Sequence, residues 1–127
     1  MNSHRILIVE DDVDNGRSLQ EAIGDLGYET EWTATGSAGI AAFRARGADV
    51  VLTDLVLPDV DGIEVMKQIR ALDAGRTPVI LMTAYGSVDS SVRAMKEGAY
   101  DYLQKPLDVD DLQAKLGRAL EAARLRQ

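Results

Sequence analysis

The chain has 127 residues, with 14 Lys and Arg against 21 Asp and Glu, and a formal charge of −7. At 46% hydrophobic and 28% charged residues it has the composition of one soluble globular domain, which excludes a disordered segment. The acid excess argues against nucleic acid as a direct partner, because such binding rests on Lys and Arg neutralising phosphates, and the lack of cysteine excludes disulfides, thiolate nucleophiles and Cys-type zinc sites.

Apolar runs alternate with helical periods along the whole length. Ile6 to Val9 is a short, uninterrupted, largely β-branched run, as expected of a parallel strand buried on both faces. Leu19, Ala22, Ile23 and Leu26 then form a helical stripe that stops at Gly27, and the alternating segment Tyr28 to Thr33 predicts a second strand. Ile40, Ala41 and Phe43 precede a stop at Gly47, and Val50 to Leu52 predicts the third strand. A third helix carries Ile63, Met66, Ile69 and Leu72, and Val79 to Met82 predicts the fourth strand. Val88, Val92 and Met95 run to Gly98 as a fourth helix, followed by a fifth strand over Ala99 to Leu103. Asp108 and Asp111 open the last helix, with Leu112, Leu116 and Leu120 as its apolar stripe. The pattern is βα repeated five times, which implies right-handed crossovers, a parallel sheet, helices on both faces, and the less buried second and fifth strands toward the edges. In such open sheets ligands sit beyond the carboxyl ends of the strands. No apolar run approaches the ~20 residues of a membrane span, and Met1 to Arg5 leads into no signal-peptide core, so a cytoplasmic location is expected.

Four segments deliver functional groups to that edge. The first strand runs into Glu10-Asp11-Asp12, the third into Asp54, the fourth into Thr83-Ala84 and the fifth into Lys105-Pro106. Each has an ordinary structural explanation on its own: helix N-caps, a strand-end threonine, a solvated lysine. Their convergence is what points to chemistry. Glu10, Asp11 and Asp54 held close together repel one another, and a hard divalent cation relieves them. Mg2+ fits better than Ca2+, since it accepts a few carboxylates together with waters and a phosphate oxygen. Lys105 and Thr83 beside such a cluster favour a phosphoryl ligand, and a carboxylate can itself be the nucleophile, with Asp54 the natural acceptor.

The stretches Ile6 to Asp12, Leu52 to Pro58 with Asp61-Gly62, Leu81 to Ala84, and Gly98 to Pro106 together resemble the receiver domain of two-component response regulators. Thr83 to Ser87 and Glu97 to Pro106 are particularly similar to receivers of sigma-54-dependent, NtrC-like activators. The resemblance implies a doubly wound (βα)5 flavodoxin-like fold with strand order 2-1-3-4-5, a receiver domain over residues 1–121, and residues 122–127 extending the last helix as a linker or a frayed end. It implies that Asp54 accepts a phosphoryl group from a partner histidine kinase or phosphotransfer protein. Asp11 and Asp54 would ligate Mg2+ directly, with Mn2+ able to substitute; Glu10 would act through water and the backbone carbonyl of Val56 would complete the protein ligands. Lys105 would bind a phosphoryl oxygen, and Pro106 would make the preceding peptide bond cis. Thr83 and Tyr102 would form the switch, the hydroxyl moving to the phosphoryl group and the ring turning inward, with Ala84 leaving room. Phosphorylation would then reshape the face of the fourth helix, fifth strand and fifth helix, through which a homodimer can form. Tyr100 and Tyr102 also read as plain edge-strand surface. Glu10 stands where the pattern more often has Asp, a common variation that preserves metal binding. Val56 and Tyr85 stand two residues beyond Asp54 and Thr83, where they position water poorly, so slow self-dephosphorylation is expected.

Three other readings compete. A dinucleotide binder would need a Gly-rich loop where Glu10-Asp11-Asp12 stands, and no Walker A loop is present. An Asp-nucleophile phosphatase or mutase would need a second Asp where Val56 stands, and more chain for a substrate pocket. A receiver-like module that no longer accepts phosphate is not favoured by any residue. Seven of the acids (Glu10, Asp11, Asp12, Asp14, Asp54, Asp59 and Asp61) fall at the predicted active edge, and the remaining acids then equal the 14 bases. The charge imbalance is expected to be local to the site.

Overall fold

The computed structural model describes residues 4–83 and 88–125. Strands and helices alternate strictly: β1 (Arg5–Val9), α1 (Val13–Asp25), β2 (Glu29–Thr33), α2 (Gly36–Arg46), β3 (Val50–Asp54), α3 (Gly62–Asp73), β4 (Val79–Thr83), α4 (Val88–Lys96), β5 (Asp101–Gln104) and α5 (Val109–Leu125). The five strands pair in parallel in the order β2-β1-β3-β4-β5, so the fold is the doubly wound (βα)5, flavodoxin-like arrangement, with β2 and β5 at the edges.

Strand residues alternate between two apolar layers. Leu7, Val9, Val51, Val79 and Leu81 face α2 and α3, together with Ala94 of α4. Ile6, Ile8, Val50, Leu52, Ile80, Met82 and Leu103 face α1 and α5. Fully burying each such aliphatic side chain contributes roughly 1.5–3 kcal/mol, and β1, β3 and β4 bury both faces, as uninterrupted apolar runs require. The carboxyl edge of this layer is thereby held rigidly.

The element ends differ slightly from the pattern. β2 starts at Glu29 because the backbone N–H of Tyr28 donates to Ile23 O (3.4 Å), closing α1 beside Gly27 at φ +97°. β5 spans Asp101 to Gln104 rather than Ala99 to Leu103, and Ala99 N instead closes α4 on Ala94 O. On α2 the inward residue is Ala42, with Ala41 exposed, and Leu72 of α3 also faces solvent. The larger departure is α4. Val92 and Met95 are 49% and 43% exposed, while Ser91 and Ala94 turn inward, so the apolar stripe of this helix faces away from the core. The side chain of Val88 lies outside the described part, as do Ala84 and Tyr85. Among the described residues no helix is long and apolar enough to cross a membrane.

The helix starts are secured from the carboxyl edge. Asp12 accepts from Asn15 N (3.0 Å), Thr35 from Ala38 N (3.1 Å) and Asp61 from Glu64 N (2.8 Å), capping α1, α2 and α3. Gly62 opens α3 directly beneath the end of β3: its N–H donates to Leu55 O (2.7 Å), and a Cβ there would stand 2.2 Å from the carbonyl oxygen of Asp54. Only glycine fits. Gly62→Ala is therefore expected to lower unfolding free energy by about 1–3 kcal/mol. Gly117→Ala, on the exposed side of α5 with open space around it, should raise it by up to about 1 kcal/mol. Urea unfolding of the two variants measures both, and equal effects would contradict the close approach at Gly62.

Candidate functional site

Three strand ends continue the sheet by one hydrogen bond beyond the regular ladder. Glu10 N donates to Thr33 O (3.0 Å), Leu55 N to Met82 O (2.9 Å) and Lys105 N to Thr83 O (2.9 Å). The main chain that carries the acids and the lysine is thus as fixed as the strands themselves, and the side chains converge from separate parts of the chain.

Oxygens of Glu10, Asp11 and Asp54 lie within 4.8 Å of one another. Glu10 is fully buried and Asp54 is 8% exposed, whereas Asp11 faces solvent. The Lys105 ammonium reaches in from the far end of the chain, 2.6 Å from Asp54 Oδ2 and 2.7 Å from Glu10 Oε1. Buried charge of one sign is costly unless paired, and Lys105 supplies the pairing. Burial pushes the Glu10 carboxyl up to about 7, with the Lys105 hydrogen bond opposing the rise and Asp54 adding to it. Burial works against the Lys105 ammonium, but the hydrogen bonds to Asp54 and Glu10 prevail and raise its pKa. The peptide bond that follows Lys105 is cis, as the resemblance implied.

This donor set fits a hard cation. It is all oxygen, contains no sulfur or imidazole, leaves one carboxylate open to solvent, and holds negative charge that a single ammonium only partly offsets. The β3–α3 loop turns back over the cluster, with Val56 N 3.4 Å from Asp54 Oδ1. Val56 itself is 70% exposed.

Thr83 and Tyr102, also singled out in the sequence, have partners of their own. Thr83 is fully buried at the end of β4, and its hydroxyl donates across to Leu103 O of β5 at 3.5 Å. Tyr102 is half-buried in β5 and held by α5: the Lys115 ammonium donates to Tyr102 O (2.7 Å) and sits 5.0 Å from the centre of its ring. Tyr102 also borders a groove of about 450 Å3 shared with Ser91, Val92, Met95, Lys96 and Gln104.

Two residues support the site in ways the sequence did not reveal, although Asp59 was counted among the acids of the active edge. Trp32 of β2 donates its indole Nε1–H to Glu10 O (2.8 Å), and Asp59 accepts from both Gly36 N (2.9 Å) and Ser37 N (2.8 Å) at the start of α2. The only signals were a lone tryptophan on an edge strand and an acid directly after Pro58.

The pairing of Lys105 is testable without any ligand. Lys105→Met leaves two buried carboxylates without their cation and should destabilise the protein by about 1–3 kcal/mol. In an Asp54→Asn background the same change should cost clearly less, because one of the two charges is gone. Chemical denaturation of the four proteins in EDTA checks this, and additive effects would count against the pairing.

The match to known proteins agrees with this geometry. Residues 6–117 match the family model described as the response regulator receiver domain. The regulatory protein AtoC of Escherichia coli (strain K12) is 40% identical over 124 residues, 98% of this chain and 27% of AtoC. The transcriptional regulatory protein ZraR of Escherichia coli O157:H7 is 44% identical over 115 residues, 91% of this chain and 26% of ZraR. The chain thus spans about a quarter of the length of these relatives. Among solved structures, NtrX from Brucella abortus in complex with ADP superposes with a TM-score of 0.92 at 29% identity, over 98% of this chain and 29% of NtrX. A CheY-like receiver domain protein from Methanospirillum hungatei JF-1 superposes at 0.91 with 32% identity, over 99% of this chain and 100% of that one. With its fold, its edge of convergent acids and its similarity to NtrC-like regulators in agreement, the chain belongs to the response regulator receiver domain family, a family of signalling domains.

Proposed function

We propose that this domain is a phosphorylation-dependent switch whose acceptor is Asp54. The observation that carries the reading is the Asp54 carboxylate at the end of the central strand, grouped with two further acids and bonded at 2.6 Å to a lysine. An Asp54 oxygen attacks the phosphorus of a phosphohistidine on a histidine kinase or phosphotransfer protein. The new O–P bond forms as the P–N bond breaks, and the electron pair returns to the imidazole. Asp11, Asp54 and the Val56 carbonyl would hold Mg2+ directly, with Mn2+ a competent substitute, and Glu10 would act through water. The metal, when bound, neutralises phosphoryl oxygens. Lys105, relieved of pairing both carboxylates, turns its ammonium to a phosphoryl oxygen.

The aspartyl phosphate adds about −1.5 to −2 charges and three strong acceptors. Thr83 exchanges its long bond to Leu103 O for one of them, which draws the end of β4 toward Asp54, and Tyr102 moves into the space released. The face that changes is made by α4, β5 and α5. The outward Val92 and Met95 support its use as a contact surface and as the seat of a phosphorylation-dependent homodimer. The relatives' names include transcriptional regulators; for this domain that favours control of transcription through an effector segment, in the cytoplasm, without direct nucleic acid binding by the domain. The exposed, apolar Val56 positions no water, which favours slow self-dephosphorylation.

Incubation with acetyl phosphate and Mg2+ followed by intact-mass measurement tests the acceptor. A gain of one phosphoryl mass that is lost in Asp54→Asn is expected; no gain would leave an inert interaction module, and continuous turnover of phosphate esters would favour a phosphatase. An aspartyl-phosphate half-life of seconds would overturn slow dephosphorylation. Sedimentation with Mg2+ and beryllofluoride should show a heavier species than Mg2+ alone, and an unchanged mass at high protein concentration would count against the dimer.

A further inference from the structure

The groups assigned to the cation border two loops: Glu10 and Asp11 stand on β1–α1, while β3–α3 begins behind Asp54, the last residue of β3, and carries Val56. Both loops are fastened to the same short stretch of chain, residues 32–37, where β2 passes into α2. On the first loop, Glu10 has both backbone groups bound by β2: its N–H by Thr33 O (3.0 Å) and its carbonyl by the indole N–H of Trp32 (2.8 Å). The indole lies against Gly16 of α1 so closely that a Cβ there would stand 2.2 Å from Trp32 Cε2. The orientation of the Glu10–Asp11 peptide, and with it the direction in which Asp11 leaves the chain, is set by that ring.

On the second loop the fastening is a fork. The two carboxylate oxygens of Asp59 each accept one N–H at the start of α2, from Gly36 (2.9 Å) and Ser37 (2.8 Å). Free N–H groups and the positive end of the helix dipole both favour a carboxylate there. The hydrogen bonds from Ser37 and Gly36 hold the Asp59 carboxyl well below the usual range, so the fork stays charged throughout neutral pH. Contact is close as well, since a Cβ on Gly36 would meet Val60 Cγ2 at 2.3 Å. The loop held this way begins immediately after Asp54 and carries Val56.

We propose that Trp32 and Asp59 are positioning residues for the divalent-cation cluster, fixing from the β2–α2 junction the two loops on which its ligands stand. Mg2+ demands near-ideal octahedral geometry at about 2.0–2.1 Å, so ligands drawn from two loops must be placed within a few tenths of an ångström. Groups that orient metal ligands typically change affinity by roughly 10- to 100-fold when removed. Neither residue touches the cation; each acts through the loop it holds.

The inference rests on the metal-binding reading of Glu10, Asp11 and Asp54, and its test separates the two. Isothermal titration calorimetry with MgCl2 is carried out on the wild type, Trp32→Phe and Asp59→Asn. Phe keeps an aromatic side chain but removes the N–H together with the part of the indole that packs on Gly16, a packing loss that the unfolding control reads, while Asn keeps the shape of Asp59 and loses one acceptor and the charge. Thermal unfolding in EDTA supplies the folding control, and the exposed position of Asp59 keeps one variant folded even if the other fails. A Mg2+ dissociation constant raised roughly ten-fold in each variant, with phosphorylation by acetyl phosphate recovering at saturating Mg2+, is the expected result. Variants that melt earlier in EDTA yet bind Mg2+ as the wild type does would overturn the proposal and leave both residues a purely structural role. A wild type that shows no Mg2+ binding would overturn the cluster reading and the proposal together.

Discussion

Lys105 holds together a site that would otherwise push itself apart. Its ammonium bridges Glu10 and Asp54, residues 95 and 51 positions earlier in the chain, and so ties β5 to β1 and β3 across the intervening β4. A fully buried glutamate beside a nearly buried aspartate is an expensive arrangement for a small domain. The apolar layers on either side of the sheet hold that charge in place, and the lysine offsets part of it. The same repulsion favours a cation at this edge and, in the function proposed above, a phosphoryl group, so the cost of folding and the proposed signalling capacity have one origin.

The charge excess also divides more finely than its place in the chain indicated. Of the seven acids at the active edge, Glu10, Asp11 and Asp54 form the cluster, while Asp12 and Asp61 cap α1 and α3 and Asp59 caps α2. Asp14 lies in the first turn of α1. Four of the seven stand at helix starts, where the positive ends of three helix dipoles point toward the same edge. Cluster and caps belong together: the helices that cover the sheet begin beside the clustered acids.

The sheet was readable because its signals are strong and local. Uninterrupted apolar runs at Ile6 to Val9 and Val79 to Met82 can only be strands buried on both faces, and the less apolar β2 and β5 fell to the edges for the same reason. Periodicity misled at α4, because a helical stripe of Val92 and Met95 marks an apolar face without saying whether the core or another molecule covers it. The small residues Ser91 and Ala94 let α4 approach the sheet, a choice that hydrophobicity does not register. At the site, the convergence of Glu10, Asp11, Asp54 and Lys105 followed from strand ends alone, since a parallel sheet aligns them. The engagement of Thr83 with Leu103 O and of Tyr102 with Lys115 did not follow, as such side-chain partners lie on other elements and depend on packing. The supporting roles of Trp32 and Asp59 were missed for a related reason: each binds backbone groups, which carry no trace in the residue names of their partners.

The indole of Trp32 has a spectroscopic consequence. It is the single tryptophan of the chain, and its N–H rests on the carbonyl of Glu10, one residue from Asp11. Indole emission responds to the polarity and hydrogen bonding around the ring, so any event that turns the Glu10 peptide registers in the fluorescence of one fluorophore with no competing tryptophan background. The domain therefore carries an intrinsic optical gauge of its own acidic loop, readable in real time and without a label.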